Sequence, residues 1–391
     1  MKNFEFYSPT KLYFGHDREL EVGRILSELK IERVLIVIGK NSVIKSGLLE
    51  RVVKALTEER IEYVLLKGVR ANPTFDLVEE GVKLVRENNV QFILPIGGGS
   101  VIDTAKCIAV NYDHDGDIHD FNYHRLTPDH ALPIGVILTI SAAGSELSSS
   151  CVVQDDETNI KMGFNSDLIR PVFAIENPDL TKSVSKEQTA YGIVDIIMHS
   201  FERYFSYSEE YMLADEFALG LIKNVFDVGL LCYNNPENYE YRARIMLASS
   251  YSHNGITSIG KPHGMFVHKL EHPVSGMFEH VAHGCGLAVL WPAWAKYYYK
   301  YDIDKFCKLG ERVFNLHMEN KEEMALATIH KVEEYFKALG MPSTLAELGI
   351  KEEDIDALVD NMTDGGTKVV SHHGKDMDAE VARIIYNSCM R

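Results

Sequence analysis

Two side chains four residues apart, Asp195 and His199 in GIVDIIMHSFERY, open the chemistry of this chain, and His268 and His272 repeat the interval in HKLEHPVSGMFEHVAHG. On a helix, a four-residue interval places both side chains on one face. A carboxylate beside a neutral imidazole is half of a binding site suited to divalent iron or zinc. Alone, such a pair is more often an ordinary helix-surface contact. The second segment shifts the balance, because His268, His272 and His283 offer further imidazoles, enough for a site of one carboxylate and three histidines. A single buried histidine can also be a satisfied core residue. Two other groups carry less weight: His114, His119 and His124 in DHDGDIHDFNYH read as a solvated acidic loop, and His372-His373 beside Gly374 as another loop.

A second feature is LPIGGGSVIDTAK, where an apolar strand runs into Gly97-Gly98-Gly99-Ser100 and then a helix. Glycines let the backbone turn sharply and approach a ligand. The amides of a helix's first turn, at the positive end of its dipole, suit a diphosphate. The segment matches neither GxGxxG nor GxxxxGK[ST], so a tight turn capped by Ser100 is the plainer reading. Asp103 and Lys106 follow at helical spacing, and LTISAAGSELSS supplies another small-residue loop after a strand. Two such loops at strand carboxyl ends are where open α/β sheets bind nucleotides.

The elements that must position these residues change character along the chain. Runs rich in β-formers at 33–39, 63–68 and 92–99 alternate with helical stretches near 47–58 and 76–88, and LPIGVILTI and PVFAIENPDL continue the series. This predicts a parallel sheet flanked by helices. From about Ser185 helical spacing dominates. The expected organisation is an α/β dinucleotide-binding domain over 1–184, then an all-helical metal and substrate domain over 185–391, with Asn177-Pro178-Asp179 near the boundary. A net charge of −17 argues against nucleic acid as the main partner. Six scattered cysteines without a CxxC pair fit a reducing compartment, and no apolar run is long enough to span a membrane. A cytoplasmic protein without membrane association is expected.

Taken in order, NFEFYSPTKLYFG, IGGGSVIDTAK, GSE with Lys161, NPDLT, DIIMHSFE, HKLEH and AHGCGLAVLWPAW resemble the iron-containing, group III alcohol dehydrogenase family, in its butanol dehydrogenase and aldehyde reductase branch. The resemblance spans nearly the whole chain. It implies a metal held by Asp195, His199, His268 and His283, Fe2+ first and Zn2+ second. His272 would stand beside substrate and cofactor as a proton carrier, and His280 would be peripheral. Gly97, Gly98, Gly99, Ser100 and Asp103 would hold the cofactor diphosphate, with Thr139, Ser145 and Lys161 near the rest of the dinucleotide. A homodimer is also implied.

Three departures from the family form stand out. The His268-to-His283 interval is one residue longer. GKPHGMFV lacks an aspartate-tryptophan pair and puts Met265 near the tryptophan position. TISAAGSE replaces a threonine-glycine form. Relatives that prefer NAD carry an aspartate after the first strand of VLIVIGKNSV; here the position is Gly39, followed by Lys40, Asn41 and Ser42, which favours NADP(H) over NAD(H). The expected activity is hydride transfer between nicotinamide C4 and short- to medium-chain primary alcohols or aldehydes whose oxygen a divalent metal polarises. The alternatives are a glycerol dehydrogenase or dehydroquinate synthase relative, and a noncatalytic metal- or nucleotide-binding protein.

Overall fold

Apolar residues in unbroken runs make strands that are buried on both faces, and such strands are typical of parallel sheets. The computed structural model, which describes residues 3–206, 212–261 and 264–391, bears this out. Its strands are β1 (Lys11–Phe14), β2 (Arg33–Gly39), β3 (Glu62–Val69), β4 (Phe92–Gly97), β5 (Gly135–Leu138), β6 (Ser150–Asp155), β7 (Ile160–Asn165) and β8 (Phe173–Glu176). Six of them form one sheet in the order β1-β8-β5-β4-β2-β3, with every pairing parallel. β4, β5 and β8 are wholly buried, whereas the edge strands β1 and β3 are partly exposed.

The first compact unit covers Tyr7–Ser183. Its helices are α1 (Val22–Glu28), α2 (Ser42–Lys45), α3 (Leu48–Glu58), α4 (Phe75–Asn88) and α5 (Gly99–Asn111). Val34, Ile36 and Ile38 of β2 pack with Leu94 and Ile96 of β4 against α1 and α3. α4 and α5 pack on each other and on β3 and β4. β6 and β7 form a separate antiparallel hairpin that the sequence reading did not expect.

The second compact unit is Val184–Arg391 with the described residues before Tyr7. It holds α6 (Lys186–Tyr204), α7 (Met212–Asn234), α8 (Tyr239–His253), α9 (Phe266–Met277), α10 (His283–Tyr298), α11 (Ile303–Phe314), α12 (Lys321–Ala338), α13 (Ile355–Thr363) and α14 (Ala379–Ser388). Ser185 caps α6 by accepting from the Gln188 amide at 3.2 Å. Phe201 of α6 stacks on Trp291 of α10 at 4.7 Å, and both are fully buried. The unit is helical except for one isolated bridge, Val370 with Met377, among the described residues. No helix among them is long and apolar enough to cross a membrane.

One buried ammonium organises the loop after β5. Lys106 Nζ lies within hydrogen-bond reach of the carbonyls of Ser145, Ser148 and Ser150 at 2.7, 3.0 and 2.8 Å, and of the Ser145 and Ser148 hydroxyls. Burial pushes this amine down to about 8, against the pull of Asp103. Lys106→Met should strand those carbonyls and cost about 2–4 kcal/mol, read as a lower midpoint in chemical denaturation. A midpoint unchanged from wild type would show that the ammonium is dispensable.

Candidate metal centre

α6 is buried nearly all round, so its polar residues must find partners inside the protein. Asp195, His199 and Glu202 lie at intervals of four and three, which brings all three to one face over about two turns. Asp195 and His199 are only 6% and 4% exposed. His268, on α9, is equally buried, and its ring stacks on that of His199 at 4.7 Å between centroids. Asp195 Oδ1 is the hub: His268 Nε2 lies 3.4 Å away, His199 Nδ1 3.6 Å and His283 Nε2 3.9 Å.

Asp195 Oδ1, His199 Nδ1 and His268 Nε2 are buried without a hydrogen-bond partner. A buried polar atom left unsatisfied costs about 1–3 kcal/mol, and here three converge within 4.8 Å of one another. One carboxylate oxygen and imidazole nitrogens are the donor set of divalent iron or zinc, so these residues fit a metal. His283 stands at the margin, its side chain 30% exposed at the first residue of α10. The His268-to-His283 interval is spanned by the end of α9 and a turn in which the Val281 amide donates to the Phe278 carbonyl, and it still delivers His283 to Asp195.

Two carboxylates to which the sequence reading gave no role aim the imidazoles. Glu202 accepts from His268 Nδ1 and from the backbone amides of Val267 and His268. Glu271, fully buried on α9, accepts from His283 Nδ1 on α10. A carboxylate on one ring nitrogen fixes the tautomer and turns the other nitrogen towards a metal. Gly286 makes room for this: a Cβ there would meet Glu271 Oε1 at 2.8 Å. The signal was available in DIIMHSFE and HKLEH as acidic residues within apolar helices, but burial was needed to read it.

His272 is half-buried, its ring 6.4 Å from that of His268 and 6.1 Å from that of His283. His280 is exposed and bonds the Leu348 carbonyl at 2.9 Å, away from the cluster. Met265 precedes α9 with its sulfur 4.0 Å from Arg203 Nη1; Pro262 and His263 of the same segment lie outside the described residues. His253 packs edge-on against His199 at 4.3 Å, a neighbour the sequence reading missed because it sits on α8. His114 pairs with Asp120 and His119 with Asp117, within a self-bonded turn.

In the first unit, strand order reverses between β2 and β4, and Gly39 and the glycine turn end those two strands. Open sheets bind ligands at such a switch point. α5 starts at Gly99 with no side-chain cap, leaving the positive end of its dipole unneutralised by a side chain. A Cβ on Gly98 would meet Ile140 Cγ2 at 2.2 Å, so only glycine lets the two loops approach. The Thr139 amide donates to the Gly97 carbonyl at 3.1 Å, and the Ser100 hydroxyl to Ala71. Asn41 and Ser42 are exposed at the start of α2, and Lys161 lies on β7 opposite Gln154. Asp103 and Ser145, expected at the cofactor, have their polar atoms engaged inside the protein. Ser145 Oγ donates to Asp103 Oδ1 at 2.6 Å, and the Val152 amide to Asp103 Oδ2 at 3.0 Å. These two side chains therefore hold the loop in shape.

The chain thus combines a switch-point glycine turn in a parallel-sheet unit with a buried Asp/His cluster in a helical unit. The family description "Iron-containing alcohol dehydrogenase" matches residues 9–178, and "Fe-containing alcohol dehydrogenase family, C-terminal" matches 189–386. The probable NADH-dependent butanol dehydrogenase 1 of Bacillus subtilis is 36% identical, over 94% of this chain and 95% of its own. The NADPH-dependent aldehyde reductase YqhD of Escherichia coli is 31% identical, over 99% and 100%. The crystal structure of the NADH-dependent butanol dehydrogenase A of Thermotoga maritima superposes with a TM-score of 0.96 at 33% identity, covering 100% of this chain and 99% of that one. The chain belongs to the iron-containing alcohol dehydrogenase family, a family of alcohol dehydrogenases and aldehyde reductases.

The ring charges set a pH dependence. Burial opposes charge on His268, but Glu202 and Asp195 outweigh it and raise the imidazole to about 10. Burial, with His253 and His268 adding to it, holds His199 well below the usual range. At neutral pH an incoming metal must therefore displace the His268 proton, and none from His199. Lowering the pH from about 8 to about 6 should weaken metal binding about a hundredfold, a decade per pH unit for one displaced proton. A chelator competition titration measures this; an affinity flat across that range would show that metal binding displaces no proton from His268.

Proposed function

We propose that this protein is a metal-dependent, NAD(P)(H)-linked alcohol dehydrogenase and aldehyde reductase acting on short- to medium-chain primary alcohols and aldehydes. The observation that carries the proposal is the trio of partnerless ligand atoms on Asp195, His199 and His268, with His283 beside them. These four residues are assigned as the ligands of a divalent ion, Fe2+ first by family and Zn2+ second. Bound there, the ion would supply Lewis acidity to a carbonyl or hydroxyl oxygen.

The chain's own residues prepare the rest. Glu202 and Glu271 hold the His268 and His283 rings through Nδ1, so both Nε2 atoms face Asp195. Apolar helix packing keeps water from the ligand trio, which strengthens every electrostatic contact there. His272 stands one ring further out, where it can carry a proton between the site and solvent. The turn Gly97–Ser100 and the amino terminus of α5 are assigned to the cofactor diphosphate. Gly39, Asn41 and Ser42 leave the end of β2 without a carboxylate that would repel a 2′-phosphate, and Lys40 adds a cation, which supports NADPH over NADH. Relatives of both kinds exist, since the B. subtilis protein is named NADH-dependent and the E. coli protein NADPH-dependent.

The test is a panel of primary aldehydes from two to eight or so carbons, assayed with NADPH and NADH on metal-loaded and chelated enzyme, beside His268→Ala. Reduction of butanal-sized substrates with NADPH ahead of NADH is expected, about a thousandfold or more weaker on chelation or in His268→Ala, with NADPH still bound by the variant. Full turnover in chelated enzyme, or undiminished metal content in His268→Ala, would overturn the proposal.

A further inference from the structure

A second group of imidazoles lies apart from these ligands. Asp302 follows the turn Tyr299–Tyr301 at the start of α11, and its carbonyl accepts from the Lys305 and Phe306 amides at 2.9 and 3.1 Å. A residue at that place ordinarily turns its carboxylate onto the helix amides. This one makes no such cap and faces His372 and His373 instead. His373 Nε2 lies 2.8 Å from Asp302 Oδ1, and His372 Nε2 lies 3.8 Å from Asp302 Oδ2.

The second distance is too long for a hydrogen bond, and both atoms at its ends are buried without a partner. The Asp302 and His372 side chains are 1% and 0% exposed, so neither reaches solvent. The aromatic rings of Tyr298, Phe266 and Trp294 surround His372 at 4.3, 4.9 and 5.9 Å, and the His373 ring stacks on it at 4.2 Å. The His373 side chain is 13% exposed and its backbone faces solvent, which gives the cluster an entry path. The sequence reading made this pair a loop. It is one, but its first histidine points into the core.

We propose that Asp302, His372 and His373 form a second binding site, for a borderline divalent transition ion such as Zn2+, that ties the 371–376 turn to the start of α11. Their ligand atoms lie within 4.8 Å of one another. One carboxylate and two imidazoles are a zinc donor set, with water completing the shell. Two contacts must yield. The His373 to Asp302 hydrogen bond is replaced by the ion. The Gly374 amide, which donates to His372 Nδ1 at 3.1 Å, must let go, because an imidazole that binds through Nε2 carries its proton on Nδ1. Each is one hydrogen bond worth about 1 kcal/mol, and Gly374 sits in an exposed turn. The gain is the satisfaction of two atoms that the fold otherwise leaves bare. The turn is already closed at its base by the Val370 and Met377 backbone pair, so little chain order remains to be imposed.

The test uses full-length protein stripped with a chelator and then titrated with Zn2+, counting ions per chain after gel filtration. Wild type should hold two and His268→Ala one, and His268→Ala/His373→Ala should hold none. Asp302→Asn, which keeps the side chain's shape, should lose the second ion as His373→Ala does. In the His268→Ala background, saturating Zn2+ should raise Tm by several degrees, an effect lost when His373→Ala is added. A single ion in wild type, or equal zinc in His268→Ala with and without His373→Ala, would overturn the proposal and leave the cluster to water. The primary site is read independently, because His373→Ala alone should keep one ion and the aldehyde activity.

Discussion

The carboxylate-to-imidazole bonds between helices are the interaction on which the rest of the helical unit depends. Glu202 on α6 reaches His268 on α9, and Glu271 on α9 reaches His283 on α10, so each bond joins one helix to the next. Each bond has two consequences. It satisfies a carboxylate that burial would otherwise make costly, and it fixes which nitrogen of the ring looks inward. The three helices must then keep their relative register for these bonds to form. Close packing supplies that constraint through Phe201 on Trp291 and through glycines on α10 that admit Tyr191 and Glu271. The cluster at Asp195 is left with ligand atoms and nothing inside the protein to satisfy them.

The sheet unit solves a related problem with the opposite charge. The loop after β5 has carbonyls that no neighbouring strand takes, and Lys106 gathers three of them from within α5. Asp103, one turn earlier on α5, takes the Ser145 hydroxyl and the Val152 amide, so the same helix that starts at the glycine turn also anchors the facing loop. The glycine turn at the start of α5 is thus backed by two buried charges, Lys106 and Asp103, that are bonded inside the protein. In the Asp195 cluster of the helical unit the buried ligand atoms are left without partners. That difference separates a frame from a ligand site.

Much of this was legible in the order of residues. Strands buried on both faces read as unbroken apolar runs, so β2 and β4 fall where RVLIVIG and FILPIG stand, while the edge strand β3 falls at YVLLKG. Asp195 and His199 share a helix face because their spacing requires it. The hairpin of β6 and β7 was not legible, since CVVQDDETNIKMGF mixes apolar and charged residues around a turn without the glycine or asparagine-glycine signature of a tight hairpin. Glu202 and Glu271 stand in DIIMHSFE and HKLEH, but an acidic residue on a helix is ordinarily solvated, and only packing shows otherwise. Asp302 was invisible for a similar reason: it is seventy residues from the histidines it faces. Asp103 and Ser145 show the converse, residues placed at a ligand by their motif whose polar atoms the fold uses internally.

The central claim is that Asp195, His199, His268 and His283 together hold one divalent ion. Anomalous diffraction from crystals of metal-loaded protein, recorded on both sides of the iron or zinc edge, tests it most directly. The account predicts one strong peak about 2.0–2.3 Å from Asp195 Oδ1 and from one nitrogen of each histidine, with Nδ1 of His268 and His283 still on Glu202 and Glu271. A peak that excludes Asp195, or its absence from this cluster in protein that retains metal, would contradict it.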